Sequence, residues 1–127
     1  MDENITATDL KALLTALPNR KKETCKIRMK RLSKEAEEPI YFALTALDYD
    51  DVAWIKSMGG DMDAEIVLKG VLEPKFTDPE FAKSQGETLA REALKKYLSP
   101  GEIEDVSRRI QKLSGYLSVN IEEIKIK

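Results

Sequence analysis

Acid–base or metal chemistry in this chain would have to rest on carboxylates and one thiol, because there is no histidine and a single cysteine, Cys25. Cys25 falls in phase with Ile27 and Met29, and a free cysteine behaves as a small hydrophobe, so it reads as packing rather than as a nucleophile. No second cysteine is present to build a zinc set. Asp48, Asp50 and Asp51 invite a calcium reading, but the glycine and closing glutamate of the twelve-residue calcium loop are missing. Capping of a helix explains them better. Glu35, Glu37 and Glu38 read as a solvated group, not as a pair held in a pocket. Gly59-Gly60 lacks the lysine and hydroxyl residue of a phosphate loop. The expectation is a protein without catalytic residues, cofactor or metal, one that works by binding and is not an enzyme.

The elements that would present a binding surface follow from the 127 residues of the chain, a length that suits one domain. Apolar residues make up 42% and charged residues 35%, too hydrophobic for general disorder. No apolar run approaches the ~20 residues that span a bilayer. The start, Met1-Asp2-Glu3-Asn4, is acidic and unlike a signal peptide. A lone cysteine needs no oxidising compartment. The expected location is a cytoplasm. The net charge of −2 is unevenly spread. Asn19–Lys34 holds eight Lys/Arg against the single acid Glu23, which leaves −9 on the remainder. Such a run reads first as a solvated face.

Hydrophobic spacing sets out an α+β chain that is mostly helical. Residues 1–23 hold an N-terminal helix and a basic turn. Thr6 or Thr8 caps the helix, and Leu10, Leu13, Leu14 and Leu17 share one face. In 24–47, Cys25, Ile27 and Met29 alternate, as do Ile40, Phe42, Leu44 and Ala46. That period predicts an antiparallel hairpin whose strands are joined by the charged loop Ser33–Pro39. Residues 48–116 read as helices, giving about five in all, packed on one side of the hairpin. One helix starts at Asp48 or Asp50 and stops at Gly59-Gly60. A second runs from Asp61 or Asp63, with Ala64, Val67, Leu68 and Val71 as its stripe, to Pro74. Asp78-Pro79 starts a short third, closed by Gly86. Thr88 caps a fourth with Ala90, Ala93, Leu94, Tyr97 and Leu98 inward. Ser99-Pro100-Gly101-Glu102 fits a capping box for a fifth, with Ile103, Val106, Ile110 and Leu113 on one side and Gly115 closing it. Residues 117–127 form a C-terminal tail that alternates weakly at Ile124 and Ile126.

Assembled in order, these punctuation residues resemble one family. Arg31-Leu32, Glu38-Pro39-Ile40, Lys69-Gly70-Val71-Leu72-Glu73-Pro74, Gly86, Ser99-Pro100-Gly101-Glu102-Ile103 and Leu113-Ser114-Gly115-Tyr116 are similar to the XkdN-like phage tail assembly chaperones. The resemblance runs from about Ile27 to the end. It implies a non-catalytic, cofactor-free protein of an active phage, a prophage or a tail-like particle. It implies that the chain binds and solubilises the tape measure protein and helps tube subunits assemble in the host cytoplasm. It also implies absence from the mature virion.

The candidate client-facing residues are Tyr41, Leu47, Trp54, Met58 and Met62. Trp54 lies off the Val52/Ile55 line, and the methionines flank a glycine pair that permits hinge motion. Tyr41 and Leu47 fall on the opposite face of the second strand from its core residues. For Trp54, Met58 and Met62, burial is the plainer alternative; Tyr41 and Leu47 face a partner if the sheet is uncovered on that side and belong to the core if it is not. The second functional reading is a small nucleic-acid-binding module that uses Lys26, Arg28, Lys30 and Arg31. Against it, that face lacks an aromatic stacking platform and the chain is acidic overall. Salt separates the two, since nucleic-acid binding weakens steeply as salt rises. Self-association is left open by the sequence.

Overall fold

Alternation first builds a small sheet. The structure, a computed structural model, describes residues 7–126. Strand β1 (Thr24–Arg28) pairs antiparallel with β2 (Tyr41–Thr45), from Thr24 opposite Thr45 to Arg28 opposite Tyr41. Cys25, Ile27, Phe42 and Leu44 face inward, and Thr24, Lys26, Arg28 and Tyr41 face out.

The connection expected as a loop is a helix, α2 (Lys30–Ala36). It forms because Leu32 and Ser33 bury on one side while Arg31 and Glu35 pair one turn apart. The Ser33 hydroxyl accepts the Ile40 N–H at 2.8 Å and so ties the helix to the start of β2. Glu37, with φ +58°, turns the chain out of the helix ahead of Pro39.

Helices α3 (Tyr49–Met58) and α4 (Met62–Gly70) follow, joined by Gly59-Gly60. Asp48 caps the first by accepting from Asp51 N–H at 2.9 Å, and Asp61 caps the second by accepting from Ala64 N–H at 3.3 Å. The second helix is shorter than its stripe suggested. It stops at Gly70, and Val71–Glu73 becomes β3, an antiparallel neighbour of β2 in a sheet ordered β1-β2-β3. Val71 is buried from this strand rather than from a helix. Pro74 bars the helical continuation that the stripe called for.

Helix α5 (Pro79–Ser84) starts at Asp78 as expected. Helix α6 (Ala90–Tyr97) starts at Leu89 without a side-chain cap, so Thr88 does not have the role expected of it. The first-turn bond, Ala93 N–H to Leu89 O, begins one residue later. Phe76 gathers Phe42, Phe81 and Tyr97 at ring separations of 5.4, 5.0 and 5.9 Å, which docks α5 and α6 beside the sheet. Helix α7 (Pro100–Leu113) carries both halves of its capping box. It packs mainly on α4, and Ile103, Val106 and Ile110 are buried. Gly115, with φ +95°, leads the chain away from it.

Helix α1 (Ala7–Ala16) differs from expectation in its surroundings. Leu10, Leu13, Leu14 and Leu17 are all exposed, so this helix does not help cover the sheet. The caps proposed at Thr6 and Thr8 lie outside the described residues and side chains.

Gly70 marks the closest approach of α4 to α7. A methyl group there would meet Ile110 side-chain atoms at 2.5, 2.6 and 2.8 Å. Gly70→Ala should therefore destabilise the fold by about 1–3 kcal/mol, overpacking outweighing alanine's helix preference. In a double-mutant cycle read by urea unfolding, Gly70→Ala combined with Ile110→Ala should cost clearly less than the sum of the two. Additive costs would mean the contact is not the cause.

Candidate functional site

The turn between α3 and α4 leaves an apolar cleft on the surface. Leu47, Val52, Ile55, Met62, Ile66 and Tyr116 supply its walls, with Lys56, Gln111 and Ser114 at its edges. Its volume is about 80 Å³. That is roughly half of an engineered cavity that accepts benzene, so it suits one small apolar side chain. Met62 and Tyr116 in its wall are 43% and 42% exposed, and nearby Met58 is 44% exposed. Met58, Gly59 and Gly60 line a smaller dimple that shares Ile55 and Met62 with the cleft.

The polar atoms nearby are already engaged. Ser114 Oγ accepts Leu47 N–H at 2.8 Å and donates to Ile110 O at 2.7 Å. Gln111 Nε2 donates to Ser107 Oγ at 3.0 Å, and Ser107 Oγ donates to Asp63 Oδ1 at 2.7 Å. An occupant therefore meets a greasy wall with few competing donors or acceptors. Among the described residues, no group of three or more Cys, Asp or Glu side chains gathers as a metal set would.

The candidate residues separate into two sets. Met62 lines the cleft, and Met58 meets it in the adjoining dimple. Trp54 lies on a neighbouring face of α3, half exposed, with Lys69 Nζ 4.6 Å from its ring centroid. Tyr41 is exposed on the outer face of the sheet, opposite Arg28. Leu47 is a correction. It lies beyond the end of β2, where strand alternation no longer applies, and it is buried as a wall of the cleft. Sequence reasoning missed Tyr116 and Ile66 as cleft residues, because they approach only when α7 packs on α4. It also missed the exposed leucine row of α1, whose spacing is that of a packed helix.

The basic set is likewise divided. Lys26, Arg28 and Lys30 are exposed. The guanidinium of Arg31 is already engaged within the chain. Its Nε lies 3.1 and 3.2 Å from the two oxygens of Glu102, and its Nη2 donates to Glu102 Oε1 at 2.9 Å and to Tyr97 O at 2.8 Å. Its Nη1 donates to Glu35 at 3.0 Å. One guanidinium thus joins α2, the last turn of α6 and the capping box of α7. The shallow groove beside it mixes Arg28, Lys30 and Arg109 with Glu102 and Asp105, so it is no basic stripe.

The Glu102 bond raises the Arg31 pKa above its ordinary value despite some desolvation. Burial pushes the Glu102 carboxyl up, but the Arg31 hydrogen bonds and the Ser99 N–H outweigh it and hold the group below the usual carboxylate range.

Comparison with known proteins gives a family. The family model described as phage XkdN-like tail assembly chaperone protein matches residues 59–125, more than half of the chain. The matched span holds Gly59-Gly60, α4 through α7 and nearly all of the tail. Arg31-Leu32 and Glu38-Pro39-Ile40 lie outside it. In fold, the chain is similar to the crystal structure of the protein yqbn, with a TM-score of 0.62 and 17% identity over 79% of this chain and 92% of that one. No curated protein matches the sequence.

A carboxylate held at a lowered pKa stabilises the fold above its unfolded-chain value and loses that contribution as pH falls through the folded value. Arg31, with its pKa raised, stays charged throughout the acid range. Glu102→Gln should cost about 1 kcal/mol near neutrality, discounting for the partly exposed Arg31. The gap in thermal midpoint between wild type and variant should then narrow as pH drops from about 6 to about 3. A gap of constant size would contradict this account of the ion pair.

Proposed function

Because the chain belongs to the family of XkdN-like phage tail assembly chaperones, we propose that it binds the tape measure protein in the host cytoplasm and keeps it soluble. It holds this client until tail tube subunits assemble, takes no part in bond-breaking and stays out of the finished virion. The observation that carries the reading is the apolar cleft walled in part by half-exposed Met62, with half-exposed Met58 in the dimple beside it.

The physical problem fits these residues. A long amphipathic helix exposes an apolar stripe that aggregates unless covered. A helix laid across the α3–α4 turn places one apolar side chain in the cleft and its neighbours against the methionines. Methionine has three flexible torsions and a polarizable sulfur, so successive, non-identical segments of one client are accepted. Burial of one such side chain contributes about 1.5–3 kcal/mol, which is weak for a single contact. Many copies along one long client keep it covered, and each copy leaves readily when a tube subunit competes.

The test is co-expression of this chain with a tape measure fragment from the same tail gene cluster. The wild type should raise the soluble yield of the fragment and be retained on it. The variant Met58→Lys/Met62→Lys replaces exposed side chains, so its thermal midpoint should stay within a few degrees. Its retention should fall about tenfold or more. Equal retention by the variant would exclude the cleft, and no retention or solubility gain from the wild type would refute the client.

A further inference from the structure

The free edge of β1 and the exposed tail are complementary halves of one contact. Ala46 N–H donates to Glu23 O at 2.8 Å and Met29 N–H donates to Ile40 O at 2.9 Å. With the β1–β2 register, these two bonds fix the odd-numbered residues of β1 as those bonded to β2. The N–H and C=O groups of Thr24, Lys26 and Arg28 therefore point away from the sheet. Strand β1 is terminal in the order β1-β2-β3, so among the described residues no strand covers them. Lys26 and Arg28 are exposed on its outer face and make no ion pair among the described residues.

Residues 117–126 have no regular secondary structure and make no strand pairing. Asn120 Nδ2 donates to Gly115 O at 2.8 Å and pins the start of this segment beside the end of α7. On either side of Asn120, Val119, Ile121 and Ile126 are 84–97% exposed, and Ile124 is 58% exposed. Apolar residues alternate with polar ones in two short runs, Val119–Ile121 and Ile124–Ile126. Between them stand Glu122 and Glu123, which also lack ion-pair partners among the described residues. Extended, residues 119–126 span roughly 26 Å, enough to run the whole length of the five-residue β1.

We propose that the tail of one copy adds as a strand to the β1 edge of a second copy. Its isoleucines continue the inner face beside half-buried Cys25 and Ile27, and Glu122 and Glu123 meet Lys26 and Arg28 on the outer face. A bulge at the glutamate pair lets both apolar runs face inward. Charge selects this occupant. Two β1 edges pairing with each other would set lysine and arginine against lysine and arginine, the arrangement that protects natural edges from pairing with themselves. The tail sets two adjacent glutamates against one lysine, Lys125, on its outer side, so it replaces most of that repulsion with attraction. The donating and accepting surfaces differ, so the contact is head-to-tail and either closes as a ring or is exchanged reciprocally in a dimer. The inference rests on the tail and the edge, independently of any client.

Sedimentation velocity over a concentration series tests it. The full chain should rise in mass above the 14.4 kDa monomer as concentration increases. A chain ending at Ser118 should remain monomeric with an unchanged thermal midpoint. Glu122→Lys/Glu123→Lys and Lys26→Glu/Arg28→Glu should each weaken association about tenfold. An equimolar mixture of the two should recover it, because the reversed tail fits the reversed edge. A full chain that stays monomeric throughout would overturn the proposal. So would a truncated chain that associates like the full one, or a mixture that does no better than its components.

Discussion

Helix α4 can lie against α7 at its last turn only because Gly70 has no side chain. The space a methyl would take is filled by Ile110, which is fully buried. Much else follows from that approach. Val67 and Val106 close the core beneath it. The chain leaves Gly70 directly into β3, which completes the sheet on the far side of β2. Phe76 then arrives against Phe42 and gives α5 and α6 their anchor. The same helix pair brings Met62 and Ile66 of one helix towards Gln111 and Ser114 of the other, so the cleft lies along the seam this contact creates.

Polar groups hold the periphery in register without opening a reactive site. Glu102 completes the capping box by accepting Ser99 N–H at 2.8 Å while it also grips Arg31. Asp61 combines two tasks in the same way. It caps α4 and lies 3.1 Å from Lys95 of α6, whose hydrogen bond holds the Asp61 pKa below its ordinary value. The charges richest in partners are thus spent on joining helices. Large apolar side chains meanwhile stand exposed beside the cleft, along α1 and in the tail. A protein with this distribution is suited to covering another chain's hydrophobic surface.

Local chemistry made the helix starts legible. Asp48, Asp61, Asp78 and Ser99 are caps whose side-chain oxygens need only their own next few residues, so spacing suffices to find them. The β1–β2 pairing was legible for a related reason, since period two survives in both strands. Failures came where a local signal is overridden at a distance. Ser33–Pro39 reads as a charged loop until Arg31, in the helix that takes in its first half, is seen to reach Glu102 and Tyr97 across the molecule. Val71 fits a helical stripe until β2 offers a vacant edge. The leucines of α1 have the spacing of a buried face, and nothing in that spacing reveals that no partner surface meets them. Leu47 has the outward parity of β2 by count, but the strand ends at Thr45 and the chain turns this side chain inward.

For function, the family accounts for the role in tail assembly, and the proposed client would lodge an apolar side chain in the cleft. Hydrogen exchange followed by mass spectrometry, with and without a soluble tape measure segment, tests that placement most directly. The account predicts slowed exchange in 47–66 and 111–116, with the outer face of the sheet unchanged. Protection confined to β1 and α2, or no protection anywhere while the segment is bound, would contradict it.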